Sequence, residues 1–129
     1  MILQAYIKPL LYESRKFDIR CFMLGVQILD SIYFYWYDEG YVRTASDKFT
    51  LKNTSKSIHL TNDAVQKSLD NYDKYESANK LSYSDLEKYL HSQRGIRFSK
   101  NIVPEMKKIA RDTCEAADKI GGPTNSVYF

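Results

Sequence analysis

The sequence contains little of what marks a secreted, membrane-bound or zinc-binding protein. Its two cysteines, Cys21 and Cys114, are far apart and neither belongs to a paired-ligand motif, which excludes a zinc finger or a disulfide framework. Buried free thiols in a reducing compartment are therefore expected. No apolar run approaches the length of a membrane span, and the first residues lack the pattern of a signal peptide. These absences predict a cytoplasmic location and no membrane partner.

The excess of positive over negative charge is also small. The 129 residues include 19 Lys and Arg against 16 Asp and Glu, so the formal net charge is only +3. A nucleic-acid-binding domain usually concentrates basic residues on one face, and this sequence disperses them among acids. We therefore predict no nucleic-acid partner and only a mild attraction to acidic partners. Base stacking on the aromatic residues 33–37 is the least favoured interpretation, because alternate residues of a strand must face a core.

Hydrophobic periodicity predicts an α+β fold, in one domain over residues 1–129, with its strands in the first third of the chain. A short apolar run at 2–7 and longer runs at 17–29 and 32–37 are typical of strands, and Asp30-Ser31 predicts a hairpin between the last two. A further turn is predicted at 38–40, before a strand over 41–44. Three or four sequential antiparallel strands are expected.

The rest of the chain is predicted to hold a loop and two helices. Residues 46–80 are polar and weakly periodic, which predicts a long loop with one helical turn at 64–69. The capping-box spacing from Ser84 to Glu87 predicts a helix through Gln93, ended by Gly95. A longer helix is predicted to end at Gly121-Gly122-Pro123, because apolar residues recur at intervals of three and four. They are Val103, Met106, Ala110, Thr113, Ala117 and Ile120.

The segment from Lys16 to Arg20 carries the first candidate functional residues. Lys16, Asp18 and Arg20 alternate along an extended run, so a strand projects all three side chains from one face. Two cations and a carboxylate are costly to bury without partners, and an anionic ligand is a natural partner for the cations. The pattern predicts a surface that binds phosphate and carboxylate groups. A solvated strand face with exposed ion pairs is the alternative.

Five short strings together carry a family resemblance. They are Gln4-Ala5-Tyr6-Ile7, Lys8-Pro9-Leu10-Leu11, Lys16-Phe17-Asp18-Ile19-Arg20, Glu39-Gly40 with Arg43-Thr44, and His59-Leu60-Thr61-Asn62 with Gln66-Lys67. In this order, the chain resembles the central part of the catalytic domain of the tubulin tyrosine ligase-like family over residues 2 to about 120. The resemblance implies an ATP-grasp-type fragment. It also implies ATP-dependent ligation of tyrosine, glycine or glutamate to a carboxylate of the tubulin C-terminal tail.

The resemblance implies nucleotide contacts for one set of residues. Gln4, Tyr6 and Ile7 match the hinge where adenine lies, and Lys16 and Asp18 match positions that face the nucleotide. Phosphoryl transfer needs fixed positive charge where negative charge accumulates, which suits a lysine at this place. Lys16 and Asp18 are therefore predicted both to bind the cofactor and to be catalytic.

The resemblance implies acceptor contacts for a second set. Arg20 and Arg43 match positions that hold the carboxylates of the acceptor tail and are predicted to be catalytic, since a guanidinium grips a carboxylate with two hydrogen bonds. His59, Thr61 and Asn62 match a motif lining the same cleft and are predicted to bind the nucleotide. Two alternatives stay open: Arg43 as a charge that protects a strand edge, and His59 as a structural residue.

Magnesium is implied as the second cofactor. Relatives take it on an Asp and on a Glu-x-Asn pair in strands after the long helix, so its ligands are expected outside this chain, and no metal ligand is predicted within it. By itself the chain is expected to be incomplete and inactive, with the remainder of the ligase polypeptide as its partner. Tubulin is the expected substrate, which predicts a place on the cytoskeleton or in the cilium. The alternative is a non-catalytic tubulin-binding or ciliary structural module.

Overall fold

The computed structural model describes residues 2–29, 31–121 and 126–128, with side chains described up to Ala116. The sheet is assembled from two long strands and shorter ones beside them. In chain order the strands and α-helices are β1 Leu11–Tyr12, β2 Arg15–Ile28, β3 Ser31–Lys48, α1 Lys56–His59, α2 Asp63–Gln66, β4 Lys80–Ser82, α3 Tyr83–Arg94, α4 Val103–Gly121 and β5 Ser126–Tyr128, and a π-helical turn at Phe98–Ile102 precedes α4. The helices of the last third follow β4 in sequence and precede β5.

The strands form a sheet in the order β1-β2-β3-β4, with β5 pairing in parallel with β3. β1 and β2 are antiparallel and pair Leu11 with Lys16, across a tight turn in which Glu13 and Ser14 both have positive φ, 46° and 65°. The predicted α+β class, with strands early and helices late, is confirmed. None of the helices within the described ranges is long and apolar enough to cross a membrane.

One predicted strand and one predicted turn are absent from the structure. Residues 2–7 form no strand, and their apolar side chains are exposed, as for Ile2 and Ile7. The predicted turn at 38–40 is also absent, because β3 runs unbroken from Ser31 to Lys48. Gly40, predicted to belong to that turn, lies within β3. A Cβ atom at this position would collide with the carbonyl oxygen of Arg20 and the hydroxyl of Tyr83, so the glycine permits a close approach rather than a turn.

The chain divides into two compact units, and β2 and β3 contribute residues to both. Unit 1 comprises Met1–Ile19 with Val42–Leu81, and unit 2 comprises Arg20–Tyr41 with Ser82–Phe129. Polar side chains make up much of the buried interior of unit 1, whereas aliphatic and aromatic side chains fill that of unit 2. The buried apolar residues are Val42, Ala45, Ile58 and Leu81 in unit 1, and Leu86, Leu90, Phe98 and Cys114 in unit 2.

The segment 46–80 is more structured than the predicted loop. It contains the end of β3, the two four-residue helices α1 and α2, and a 3₁₀ turn at Ser77–Asn79. Only α2 overlaps the helical turn predicted at 64–69. Four residues span little more than one turn, which is too short to show a hydrophobic period, so the sequence pattern could not distinguish these helices from a loop.

The start of α3 differs from the prediction and its end agrees. Ser82 is the N-cap, because its hydroxyl accepts a hydrogen bond from the backbone N–H of Asp85 at 3.1 Å; the predicted box began two residues later, at Ser84. Gly95 ends the helix in the left-handed conformation with φ 66°, as predicted.

The predicted long helix is confirmed as α4; its less exposed side includes Val103, Met106 and Ala110 as predicted, but continues through Cys114 in place of Thr113. Thr113, assigned to the apolar face, is exposed and donates its hydroxyl to the carbonyl of Ile109 at 2.7 Å, while the neighbouring Cys114 is buried. The side chains of Ala117 and Ile120 lie outside the described residues, as does Gly122-Pro123 of the predicted stop. The expectation of two buried thiols is half wrong, because Cys21 is exposed.

Candidate functional site

Lys16 lies at the start of β2 with its amine directed at the segment that carries the His-Leu-Thr-Asn string. Its Nζ donates to the backbone carbonyl of His59 at 2.8 Å and lies 5.4 Å from the centre of the Tyr6 ring. A cation over an aromatic face is held by the ring quadrupole as well as by the hydrogen bond. Unit 1 thus brings together three residues predicted to bind the nucleotide, although they are 10 and 43 positions apart.

His59 is held on both of its ring nitrogens. Nε2 lies 2.6 Å from the carbonyl oxygen of Asn53, which can only accept, so Nε2 carries a proton. In the neutral ring Nδ1 then accepts from the hydroxyl of Tyr6 at 2.9 Å. Phe49 packs edge-on against the imidazole, with ring centres 5.6 Å apart. The predicted hinge residue Tyr6 is therefore joined to the His59 segment by a defined contact.

A cavity of about 370 Å³ opens beside this cluster. Its walls combine aromatic, aliphatic and basic side chains, which is the composition of pockets that hold small molecules. A flat heteroaromatic ring fits such walls, and a lysine at the rim fits a phosphate. The cavity is lined by Tyr6, Leu51, Thr54, Lys56, His59 and Leu60.

Asp18 and Arg43 form a two-point ion pair between β2 and β3. Arg43 donates from Nε to Oδ1 of Asp18 at 2.9 Å and from Nη2 to Oδ2 at 3.0 Å. The arginine side chain is 10% exposed and the aspartate 31%. A fork contact of this kind fixes both side chains in orientation. The residue predicted to face the nucleotide and the residue predicted to hold the acceptor therefore contact each other directly.

The other predicted site residues are less closely connected. Gln4 and Ile7 are exposed in the segment before β1, Thr61 is buried, and Asn62 is the exposed residue at which α2 begins. Arg20 belongs to unit 2, where its backbone carbonyl accepts a hydrogen bond from the Tyr83 hydroxyl at 2.6 Å.

Comparison with known proteins decides the family. The model of the tubulin-tyrosine ligase family matches residues 1–127. This chain belongs to that family. The resemblance drawn from the five strings is confirmed, and the α+β arrangement agrees with an ATP-grasp-type fragment.

Similar proteins within the family carry several names. "Tubulin glycylase 3D" of Tetrahymena thermophila is 31% identical over 98% of this chain and 13% of its own length. "Protein monoglycylase TTLL8" of Homo sapiens is 35% identical over 97% of this chain and 15% of its own length. "Tubulin polyglutamylase TTLL7" of Homo sapiens is 37% identical over 64% of this chain and 10% of its own length. The chain thus spans 13% of the length of the Tetrahymena glycylase and 15% of the length of the human monoglycylase.

Arg15 is the residue of this family member that sequence reasoning missed most clearly. It is only 1% exposed, donates to both carboxylate oxygens of Glu76, and bonds the hydroxyl of Thr44 and the carbonyl of Ala45. The ring of Tyr75 covers the guanidinium at 4.3 Å. Burial alone would lower the pKa of Arg15, but the hydrogen bond and charge of Glu76 outweigh it and raise that pKa. In the sequence, the one signal that Arg15 belongs to this region was its position directly before Lys16.

Metal ligands do not converge in the part of the chain that the structure describes. Within the described residues, no group of three or more His, Cys, Asp or Glu side chains is placed to hold a metal ion. The location of the magnesium ligands therefore stays a prediction.

Proposed function

We propose that this chain supplies nucleotide-facing and acceptor-facing residues of an ATP-dependent ligase that joins an amino acid to a carboxylate of the tubulin C-terminal tail. The observation that carries the proposal is the clustering, in unit 1 of a tubulin-tyrosine ligase family member, of Lys16 with His59 and of Asp18 with Arg43. A cation for phosphate and a guanidinium for carboxylate are the two groups that such a reaction requires. A cytoskeletal or ciliary location follows from a tubulin substrate.

Glycine is the amino acid that we propose for transfer. Two relatives that match nearly the whole chain, at 98% and 97% coverage, are named as glycylases, whereas the polyglutamylase matches 64% of it. Tyrosine and glutamate are the competing substrates, and the assay described below tests all three.

The residues around the cavity suit ATP. Tyr6, His59 and Leu51 would form the walls for the adenine ring, and Lys16 and Lys56 would face the phosphates. Lys16 can keep its bond to the His59 carbonyl while donating to a phosphate, because an ammonium group has three N–H donors. When bound, ATP supplies the phosphoryl group that activates the acceptor carboxylate.

Arg43 would bind the acceptor carboxylate through the N–H groups that it does not donate to Asp18. The pair with Asp18 uses Nε and Nη2, so the guanidinium plane is fixed while its other nitrogen, Nη1, keeps two donors. A tail carboxylate bound there would meet a donor in a fixed position, which lowers the entropy lost on binding. Asp18 is then a positioning residue for Arg43.

The test is amino-acid transfer by the full-length polypeptide. Wild type, Lys16→Ala, Arg20→Ala and the exposed-lysine control Lys100→Ala are incubated with ATP, magnesium, tubulin and radiolabelled glycine, tyrosine or glutamate. We expect glycine incorporation by wild type and the control, and its loss in the two site variants with unchanged thermal unfolding. Full activity in both site variants would end the proposal. Tubulin-tail binding by wild type with no transfer of any amino acid would favour a non-catalytic module.

A further inference from the structure

The side chain of Gln66, at the end of α2, is almost entirely enclosed. It is 1% exposed, and its amide is one of the largest buried polar groups of unit 1. The carbonyl oxygen, Oε1, accepts from the backbone N–H of Ser46 at 2.9 Å and from its hydroxyl at 2.6 Å. Asn79 adds a third, longer contact from Nδ2 at 3.4 Å. One side of the amide is thus fixed to β3.

The other side of the amide is fixed to α1. Nε2 of Gln66 donates to the backbone carbonyls of Ser57, at 3.3 Å, and Leu60. Ser57 lies within α1, and Leu60 directly follows its last residue. A glutamine presents an acceptor and a donor on one rigid plane, which lets it join a strand to a helix end that no backbone ladder connects.

The residue whose carbonyl receives Lys16 lies between these two anchor points. The His59 carbonyl accepts from Nζ of Lys16 at 2.8 Å, and its neighbours at positions 57 and 60 are held by Gln66. Movement of α1 away from β3 would therefore remove the acceptor that orients the Lys16 amine. Within unit 1, this amide joins β3 to the segment whose His59 carbonyl receives the proposed phosphate-facing lysine.

We infer that Gln66 is a positioning residue that sets the orientation of the Lys16 amine indirectly, by holding the carbonyls of Ser57 and Leu60 on either side of the His59 carbonyl. The inference rests on the proposed function for its kinetic consequence, because the oriented amine is expected to serve bound ATP. Its structural consequence is independent of catalysis, since it concerns only where the Lys16 amine is held.

The first test measures the accessibility of the Lys16 amine directly. The full-length polypeptide is pulsed with an amine-acylating reagent, and the modified fraction of Lys16 is read by mass spectrometry against that of Lys107. Lys107 is a suitable internal reference, because its amine is paired with Asp38 at 2.9 Å in unit 2. In Gln66→Glu, we expect several-fold faster acylation of Lys16 with no change at Lys107. An ionised carboxylate donates to neither carbonyl and a protonated one to only one of them, so at least one is left unsatisfied.

The second test is kinetic and uses the same variant. We expect the KM for ATP to rise by roughly tenfold or more, because at least one of the two carbonyls loses its donor and the fixed orientation of the Lys16 amine is lost with it. The KM for the tubulin tail should change little. Gln93→Glu, an exposed glutamine of α3, is the matched control and should leave both constants and both acylation rates unchanged.

Ser46→Ala is the milder second variant, for use if Gln66→Glu does not fold. It removes the hydroxyl contacts to Oε1 of Gln66 and to Nδ2 of Asn79 and keeps the backbone contact to Oε1, so smaller changes in the same direction are expected. Equal acceleration at Lys16 and Lys107 would indicate a purely structural role and would overturn the inference. Unchanged Lys16 acylation in a folded variant would overturn it as well. Absence of transfer by wild type would instead refute the proposed function, and the acylation result would still stand.

Discussion

The guanidinium of Arg43 meets the carboxylate of Asp18 through two nearly equal hydrogen bonds, at 2.9 and 3.0 Å. The pair crosses from β3 to β2 and holds a buried cation beside a partly exposed anion. Such a pair has less desolvation to overcome than a fully buried one, because water still reaches the carboxylate. It therefore fixes the arginine plane without isolating the site from solvent.

Replacing Arg43 with lysine should impair transfer more than folding. The ammonium keeps the charge but offers no planar fork, so it cannot hold Asp18 and a tail carboxylate in one fixed plane. We expect kcat/KM for the tubulin tail to fall by roughly tenfold or more. Steady-state kinetics with a tail peptide measures this, and Arg94→Lys in the exposed last turn of α3 is the control. Wild-type kinetics in Arg43→Lys would refute the assigned role.

Replacing Glu76 with glutamine should destabilise the protein strongly. The change leaves Arg15 buried at 1% exposure without its buried countercharge, and loss of one partner of a buried pair costs about 3 to 5 kcal/mol in the free energy of unfolding. Chemical denaturation measures the loss. Glu13→Gln is the matched control, because Glu13 also lies 3.5 Å from Arg15 but is 57% exposed. That control should lose less than about 1 kcal/mol. Equal losses would show that burial does not decide the effect.

Replacing Gly40 with alanine should destabilise unit 2. The added methyl group would overlap the Arg20 carbonyl and the Tyr83 hydroxyl, which are hydrogen-bonded to each other at 2.6 Å. Overpacking of this kind typically costs about 1 to 3 kcal/mol. In Gly25→Ala, the nearest atom would be a ring carbon of Phe34 at 3.3 Å, so a smaller loss is expected there. Thermal unfolding compares the two variants, and an equal or larger loss at Gly25 would contradict the assignment.

The two cysteines should differ in reactivity. Cys21 is exposed, whereas Cys114 is 7% exposed and its burial raises the pKa of its thiol. The thiolate is the reacting form, so at pH 8 a smaller thiolate fraction adds to the steric protection of Cys114. We expect iodoacetamide to modify Cys21 first, and the Cys114 rate to keep rising at higher pH. Mass spectrometry of timed samples measures both, and equal rates would contradict the described burial.

Local sequence patterns predicted the elements that depend on near neighbours. The three-and-four spacing from Val103 predicted α4, and Gly95 predicted the end of α3, because each signal lies within a few residues of its effect. The hairpin between β2 and β3 was visible for the same reason. The strings that resembled the tubulin-tyrosine ligase family also lie in short runs, and their order along the chain is a property of the sequence alone.

Long-range packing decided what those patterns could not show. Asp-Glu-Gly is typical of a turn, yet β3 continues through it, because Gly40 is selected by the approach of groups 20 and 43 positions away. Arg15 and Glu76 are 61 positions apart, and a charged side chain is rarely buried without an oppositely charged partner. Neither residue by itself therefore predicted the buried pair. Gln66 could be placed in a motif but not given a role.

By itself the sequence determined the family, the α+β class, and which residue types were available to bind phosphate and carboxylate. The tertiary structure decided which charges are paired, with Asp18 joined to Arg43 across 25 positions, and which carbonyl receives Lys16. The physical reason is that the energy of a charge depends on its burial and its partner. Both are set by which distant segments the fold brings together.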